Sequence, residues 1–147
     1  MKGALDRMSK VAVVFWSGTG NTQAMAEAVA AGAKDKGADV SVIEAGSFNA
    51  DMAADYEGIA FGCPAMGDEV LEEDEFDPMF TAVEGSLAGK KVGLFGSYGW
   101  GDCQWMRDWE ERCSNAGITL AADSVTANDA PDDDAVAACK ELGAALA

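Results

Sequence analysis

Val11-Ala-Val-Val-Phe-Trp-Ser-Gly-Thr-Gly-Asn-Thr22 is a β-branched apolar run that ends in a polar, glycine-bearing loop, and a helical pattern begins directly after it. A strand, a hydroxyl-rich turn and a helix start together form an anion site. The first turn of a helix leaves backbone N–H groups unpaired and carries partial positive charge. Ser17, Thr19, Asn21 and Thr22 add side-chain donors, while Gly18 and Gly20 let the backbone bend and come close to a ligand. No Lys follows Gly20 as a G-x-x-x-x-G-K-[ST] loop requires, and Gln23 stands where G-x-G-x-x-G needs its third glycine. Neutral donors without a basic residue suit a terminal phosphate monoester. The same residues also suit an ordinary strand-to-helix turn capped by Ser, Thr and Asn.

Outward from this stretch the chain alternates. Residues 11–15 read as a buried strand, and the helix over 22–36 has an apolar stripe of Ala26, Val29, Ala30 and Ala33, with Gly37 as its stop. Further strands are expected at 40–43, 59–62 and 92–96, and a last one in two pieces at 118–120 and 125–126. A short helix is expected over 48–54. Asp77-Pro78 reads as an N-cap followed by proline at the first helical position, with Met79, Phe80 and Val83 turned to the core. Asp102 reads as the cap of a helix that buries Trp105, Met106, Trp109 and Cys113 and ends at Gly117. Asp132, Asp133 and Asp134 open a final helix with Val136, Cys139, Leu142 and Leu146 facing inward. Five strand–helix units with continuous apolar strands predict an α/β fold, a three-layer doubly wound five-stranded parallel sheet. One domain over 10–147 is expected, with residues 1–9 as a flexible tail.

Composition narrows the function. The 147 residues hold 26 acidic and 10 basic side chains, a net charge of −16, which excludes the basic footprint that nucleic acid requires. No apolar run approaches the ~20 residues of a membrane span. Histidine is absent and the four cysteines form no C-x-x-C pair, so no metal site and no Ser-His or Cys-His catalysis is expected. Cys113 and Cys139 fall on apolar helix faces as core residues. Asp68, Glu69, Glu72, Glu73, Asp74, Glu75 and Asp77 form an acidic stretch without the D-x-[DN]-x-[DN]-G pattern of a calcium loop. That stretch is either a solvated helix face or a docking surface for basic partners.

In a doubly wound sheet, ligands lie at the carboxyl ends of the strands, where the strand order reverses. Loops after the first, third and fourth strands carry unusual residues. Met66 and Trp100 stand among glycines, where a large apolar side chain has little local packing; facing each other, they would clamp a planar ring. A planar ring joined to a phosphate describes flavin mononucleotide.

Three motifs make the chain resemble the flavodoxins, specifically the short-chain kind of anaerobic bacteria, from about residue 10 to the end. They are Trp16-Ser-Gly-Thr-Gly-Asn-Thr22, Ala65-Met-Gly-Asp-Glu-Val-Leu-Glu-Glu73 and Gly96-Ser-Tyr-Gly-Trp-Gly-Asp102. The resemblance implies strand order 2-1-3-4-5 and non-covalent FMN. Its phosphate would lie on Ser17, Gly18, Thr19, Gly20, Asn21 and Thr22, beside Trp16. Ala65, Met66, Gly67, Asp68 and Glu69 would form one flavin loop, and Ser97, Tyr98, Gly99, Trp100 and Gly101 the other. Met66 and Trp100 would cover opposite faces of the ring, Glu69 its pyrimidine edge, and Ser97 and Asn128 the ribityl chain. Pro64 stands where some relatives have serine, so no side-chain contact is assigned to it.

The Gly67-Asp68 peptide would flip on one-electron reduction and accept a hydrogen bond from the protonated flavin N5, favouring the neutral semiquinone. Glycine permits the positive φ of that turn. Full reduction would add an anion beside apolar groups, a phosphate and the acidic stretch, which holds the second electron at low potential. The resemblance thus implies a carrier, not an enzyme, shuttling one electron between semiquinone and hydroquinone. Its partners would be basic-patch redox proteins, namely reductases and oxidoreductases normally served by ferredoxin. A monomer in the cytoplasm is expected. The alternative on the same fold is an FMN-dependent NAD(P)H:quinone reductase, disfavoured by the short chain, the absent histidine and the lack of a cationic nicotinamide site. A phospho-receiver domain is disfavoured by Trp16-Ser17 and Cys63-Pro64 where acidic residues would be needed.

Overall fold

The computed structural model describes residues 9–66 and 70–147. β1 (Lys10–Phe15) leads into α1 (Asn21–Asp35). β2 (Asp39–Glu44) leads through a 3₁₀ turn (Ala45–Ser47) into the short α2 (Ala50–Ala53), and β3 (Gly58–Gly62) leads into α3 (Phe76–Val83) and a second 3₁₀ turn (Glu84–Ser86). β4 (Lys91–Tyr98) is followed by α4 (Gln104–Asn115), and β5 (Val125–Asn128) by α5 (Asp133–Leu146). The strands form one parallel sheet in the order β2-β1-β3-β4-β5, as expected. Among the described residues no helix is long and apolar enough to cross a membrane.

Both faces of the sheet are covered, which is why its central strands are apolar throughout. Val11, Val13 and Phe15 pack with α1 and α5, while Ala12 and Val14 pack with the layer built from α2, α3 and α4. The α1 stripe of Ala26, Val29, Ala30 and Ala33 is buried as read. α5 crosses it so closely that a Cβ on Gly143 would overlap the Val29 carbonyl. The opposite layer is aromatic: Phe61 meets Phe80 edge to face at 5.1 Å, and Phe76 meets Trp109 likewise at 5.3 Å.

Several boundaries differ from the sequence expectations. β4 continues through Ser97 and Tyr98, because these pair with Ala127 and Asn128 of β5. The last strand region does come in two pieces, with Leu120 bridging to Val92 before β5 begins. α3 begins at Phe76, so Asp77 is not its N-cap and Pro78 is not its first residue. Glu72 takes the capping role, accepting the amide hydrogens of Asp74, Glu75 and Phe76. Asp77 instead turns to Arg112 and Thr81. Asp102 does not cap α4 either: Cys103, at φ +72°, occupies the N-cap position, and the Asp102 carboxylate pairs with Arg107 at 3.2 Å. Asp132 does cap α5, accepting the Ala135 amide at 2.8 Å.

Candidate functional site

β1 lies between β2 and β3, so the chain leaves it toward β2 and later returns to β3 on its other side. That reversal opens a crevice at the carboxyl ends of the strands. Three loops meet there around a cavity of about 240 Å³. The β1 loop contributes Trp16, Gly18, Thr19 and Asn21; the β3 loop Pro64, Ala65 and Met66; and the end of β4 Ser97, Tyr98 and Gly99. Asp129, just after β5, completes the wall.

The β1 loop closes against the start of α1. Gly20 takes φ +94° at the N-cap, a region costly for any residue with a Cβ. The Ser17 hydroxyl accepts the amides of Gly20 at 3.0 Å and Gln23 at 3.3 Å. The capping half of the two sequence readings is therefore present in the geometry. α1 has no acidic residue in its first turn and carries Lys34 in its last, so its N-terminus keeps its positive end toward the crevice. Thr22 behaves differently from its neighbours. It is buried, and its hydroxyl lies 3.1 Å from that of Ser97, tying α1 to β4. The Trp16 indole packs at Gly18 and donates to the Glu75 carboxylate at 3.1 Å, which joins the β1 loop to the acidic stretch.

On the β3 side, Met66 pairs with Val70 through two backbone bonds of 2.9 and 3.0 Å. Gly67, Asp68 and Glu69 lie outside the described residues. On the β4 side, the Ala65 amide donates to the Ser97 carbonyl at 3.0 Å, which joins two of the three loops directly. The neighbouring Cys103 raises the Tyr98 pKa above the ordinary phenol value, and Asn128 acts in the opposite direction. Trp100 is 60% exposed, and Gly101 takes φ +88°. Neither Trp100 nor Asn128 touches the cavity, although both border it in sequence. Sequence reading passed over Asp129, which stands directly after β5 at φ +56°; an Asn-Asp pair at a strand end is itself a turn signal.

The acidic stretch is not one helix face. Of its described members, Glu73, Asp74 and Glu75 are exposed on a turn. Glu72 is 6% exposed and capping, Glu75 holds Trp16, and Asp77 pairs with Arg112 at 3.0 Å. Burial alone would raise the Glu72 carboxyl, but its three amide donors outweigh this and hold its pKa below the usual carboxylate value. A larger concavity of about 630 Å³ runs between β5 and α5. Its lining has no aromatic side chain and its only charged groups are carboxylates, an unsuitable chemistry for a phosphorylated ring. The crevice of the three loops, with an indole, a thioether and a phenol beside an unopposed helix N-terminus, fits such a group. Among the described residues, no cluster could hold a metal ion.

Comparison with known proteins agrees with this geometry. The flavodoxin family model matches residues 13–143. The flavodoxin of Megasphaera elsdenii is 47% identical over 137 residues, covering 93% of this chain and 98% of its own. That of Clostridium beijerinckii is 45% identical over 135 residues, covering 92% and 97%. The solution structure of two-electron reduced Megasphaera elsdenii flavodoxin aligns with a TM-score of 0.85 at 46% identity, over 92% of this chain and 97% of that one.

Proposed function

Because the chain belongs to the flavodoxin family, whose members bind FMN and carry electrons rather than transform a substrate, we propose that it is a low-potential one-electron carrier for other redox proteins. The observation that carries this is the meeting of the β1, β3 and β4 loops at one cavity with an apolar wall and a helix N-terminus. Residues 17–22 hold the phosphate, with Trp16 beside them. Met66 and Trp100 would flank the ring, Glu69, outside the described residues, would meet its pyrimidine edge, and Ser97 and Asn128 would meet the ribityl chain. Bound there, FMN supplies one-electron redox chemistry.

The chain's own groups bias that chemistry. The Gly67-Asp68 peptide, outside the described residues, would offer its carbonyl to the ring. Exposed carboxylates at Glu73 and Asp74 and the net charge of −16 would oppose added negative charge on a bound flavin and so would favour a low potential. The same carboxylates guide basic patches of partner reductases and oxidoreductases, setting encounter rate and orientation. The carrier works as a monomer in the cytoplasm.

Titration of apo-protein with FMN tests this directly. Trp100 is mostly exposed, so Trp100→Ala is expected to leave apo-protein stability within about 0.5 kcal/mol. It is expected to weaken FMN binding by about tenfold. Unchanged affinity in Trp100→Ala removes Trp100 from the site. Gly67→Val is expected to lower the yield of the half-reduced form, and an unchanged yield removes the peptide turn. Steady NADH oxidation with a quinone by the purified protein alone would instead identify a reductase.

A further inference from the structure

Among the described acidic residues of its stretch Glu72 alone is buried, in a chain whose excess negative charge makes burial of a carboxylate costly. Its Oε1 accepts the Glu75 and Phe76 amides and its Oε2 the Asp74 amide, each at 2.8 Å. Its own amide donates to the Cys63 Sγ at 3.3 Å. Cys63 follows β3 directly: its amide donates to the Phe95 carbonyl at 3.1 Å, its carbonyl accepts the Trp105 indole at 3.1 Å, and its thiol donates to the Pro64 carbonyl at 3.6 Å. The loop that carries Pro64, Ala65 and Met66 into the cavity wall therefore starts and finishes at one buried contact. One side of that contact is fixed to the sheet and to α4, and the other to the first turn of α3.

We propose that Glu72, acting with Cys63, is a positioning residue that ties the end of β3 to the start of α3 and so sets the placement of Pro64, Ala65 and Met66 in the wall that meets the cofactor. This inference rests on the carrier function proposed above. Closing a flexible loop costs conformational entropy, which a fixed contact at its base supplies before the ligand arrives. With the clamp removed, FMN binding itself must order the loop, and affinity falls. Glu72→Ala removes all three acceptor bonds. Glu72→Gln keeps one carbonyl oxygen, enough for the Glu75 and Phe76 amides, and loses the acceptor for Asp74.

The experiment pairs two readouts on parent, Glu72→Ala, Glu72→Gln and a charge-loss control on exposed α4, Glu111→Gln. The first is iodoacetamide labelling of apo-protein, followed thiol by thiol through peptide mass mapping. The second is the FMN dissociation constant. In Glu72→Ala, Cys63 labelling is expected to rise about tenfold or more while Cys113 and Cys139, buried elsewhere in the core, stay protected. FMN binding is expected to weaken about tenfold. Glu72→Gln falls between parent and Glu72→Ala, and Glu111→Gln matches the parent. Parental FMN affinity in Glu72→Ala and Glu72→Gln overturns the proposal. So does joint exposure of Cys63, Cys113 and Cys139 in both variants, which makes Glu72 a general stability residue. If the parent itself takes up no FMN, the carrier function fails, and the thiol pattern alone still decides whether the clamp exists.

Discussion

Glu72 and Asp77 sit five positions apart in a run of acids, and only their surroundings separate their roles. Nothing in the sequence marks Glu72 as the cap, because the cue of an acid before proline pointed to Asp77. The deciding fact is burial: three amides converge on Glu72, whereas Arg112 draws Asp77 away. Thr22 depends on its surroundings in the same way: it is buried, and its hydroxyl lies 3.1 Å from that of Ser97. A pH prediction follows for Glu72. Its pKa in the fold lies below the unfolded carboxyl value of about 4.3. The stabilisation is therefore fully present above that value and lost as pH falls through the folded pKa. Glu72→Gln lacks this contribution. The stability gap between parent and Glu72→Gln, about 1–3 kcal/mol near neutral pH, is expected to narrow as pH falls below about 4.3. Thermal unfolding across pH 3–7 checks this, and a gap as large at pH 3 as at pH 7 contradicts it.

Strands and helices were legible because their apolar periods of two and 3.6 are written by burial itself. The stripe on α1 and the Gly37 and Gly117 stops, at φ +88° and +79°, fall where the pattern put them. Helix starts were less legible, since a cap depends on which side chain reaches the open amides. Between elements, Arg112 of α4 pins α3: it donates to Glu84 at 3.1 Å, Asp77 at 3.0 Å and Thr81 at 2.8 Å, over the Phe80 ring. Burial alone would lower its pKa, but hydrogen bonds to Glu84 and Asp77 outweigh this and raise it. Arg112→Met is expected to cost about 1–3 kcal/mol in urea unfolding, by leaving two carboxylates without their partner. Gly143→Val drives a side chain into the Val29 carbonyl and is expected to cost about 2 kcal/mol or more, or to prevent folding. A Gly143→Val protein with the parental urea midpoint contradicts the close crossing of α1 and α5.

At the scale of the whole molecule, the convergence of three loops was readable because ligand crevices in doubly wound sheets follow from topology, while the strand order came from the family resemblance. The share of the acidic stretch left for partners was not readable. Folding buries Glu72 and pairs Asp77 with Arg112, and it leaves Glu73, Asp74 and Glu75 exposed, Glu75 with a hydrogen bond from the Trp16 indole. With a net charge of −16, electron transfer to a basic partner is expected to slow as ionic strength rises from about 0.01 to 0.15 M, where the screening length shortens from about 30 to 8 Å. A salt-independent rate contradicts electrostatic docking. The most direct test of a one-electron FMN carrier is the visible spectrum of the FMN-loaded protein during stepwise anaerobic reduction. A yellow protein that turns blue at the one-electron stage before bleaching is the expected result; direct bleaching without the blue stage, or no uptake of FMN, contradicts it.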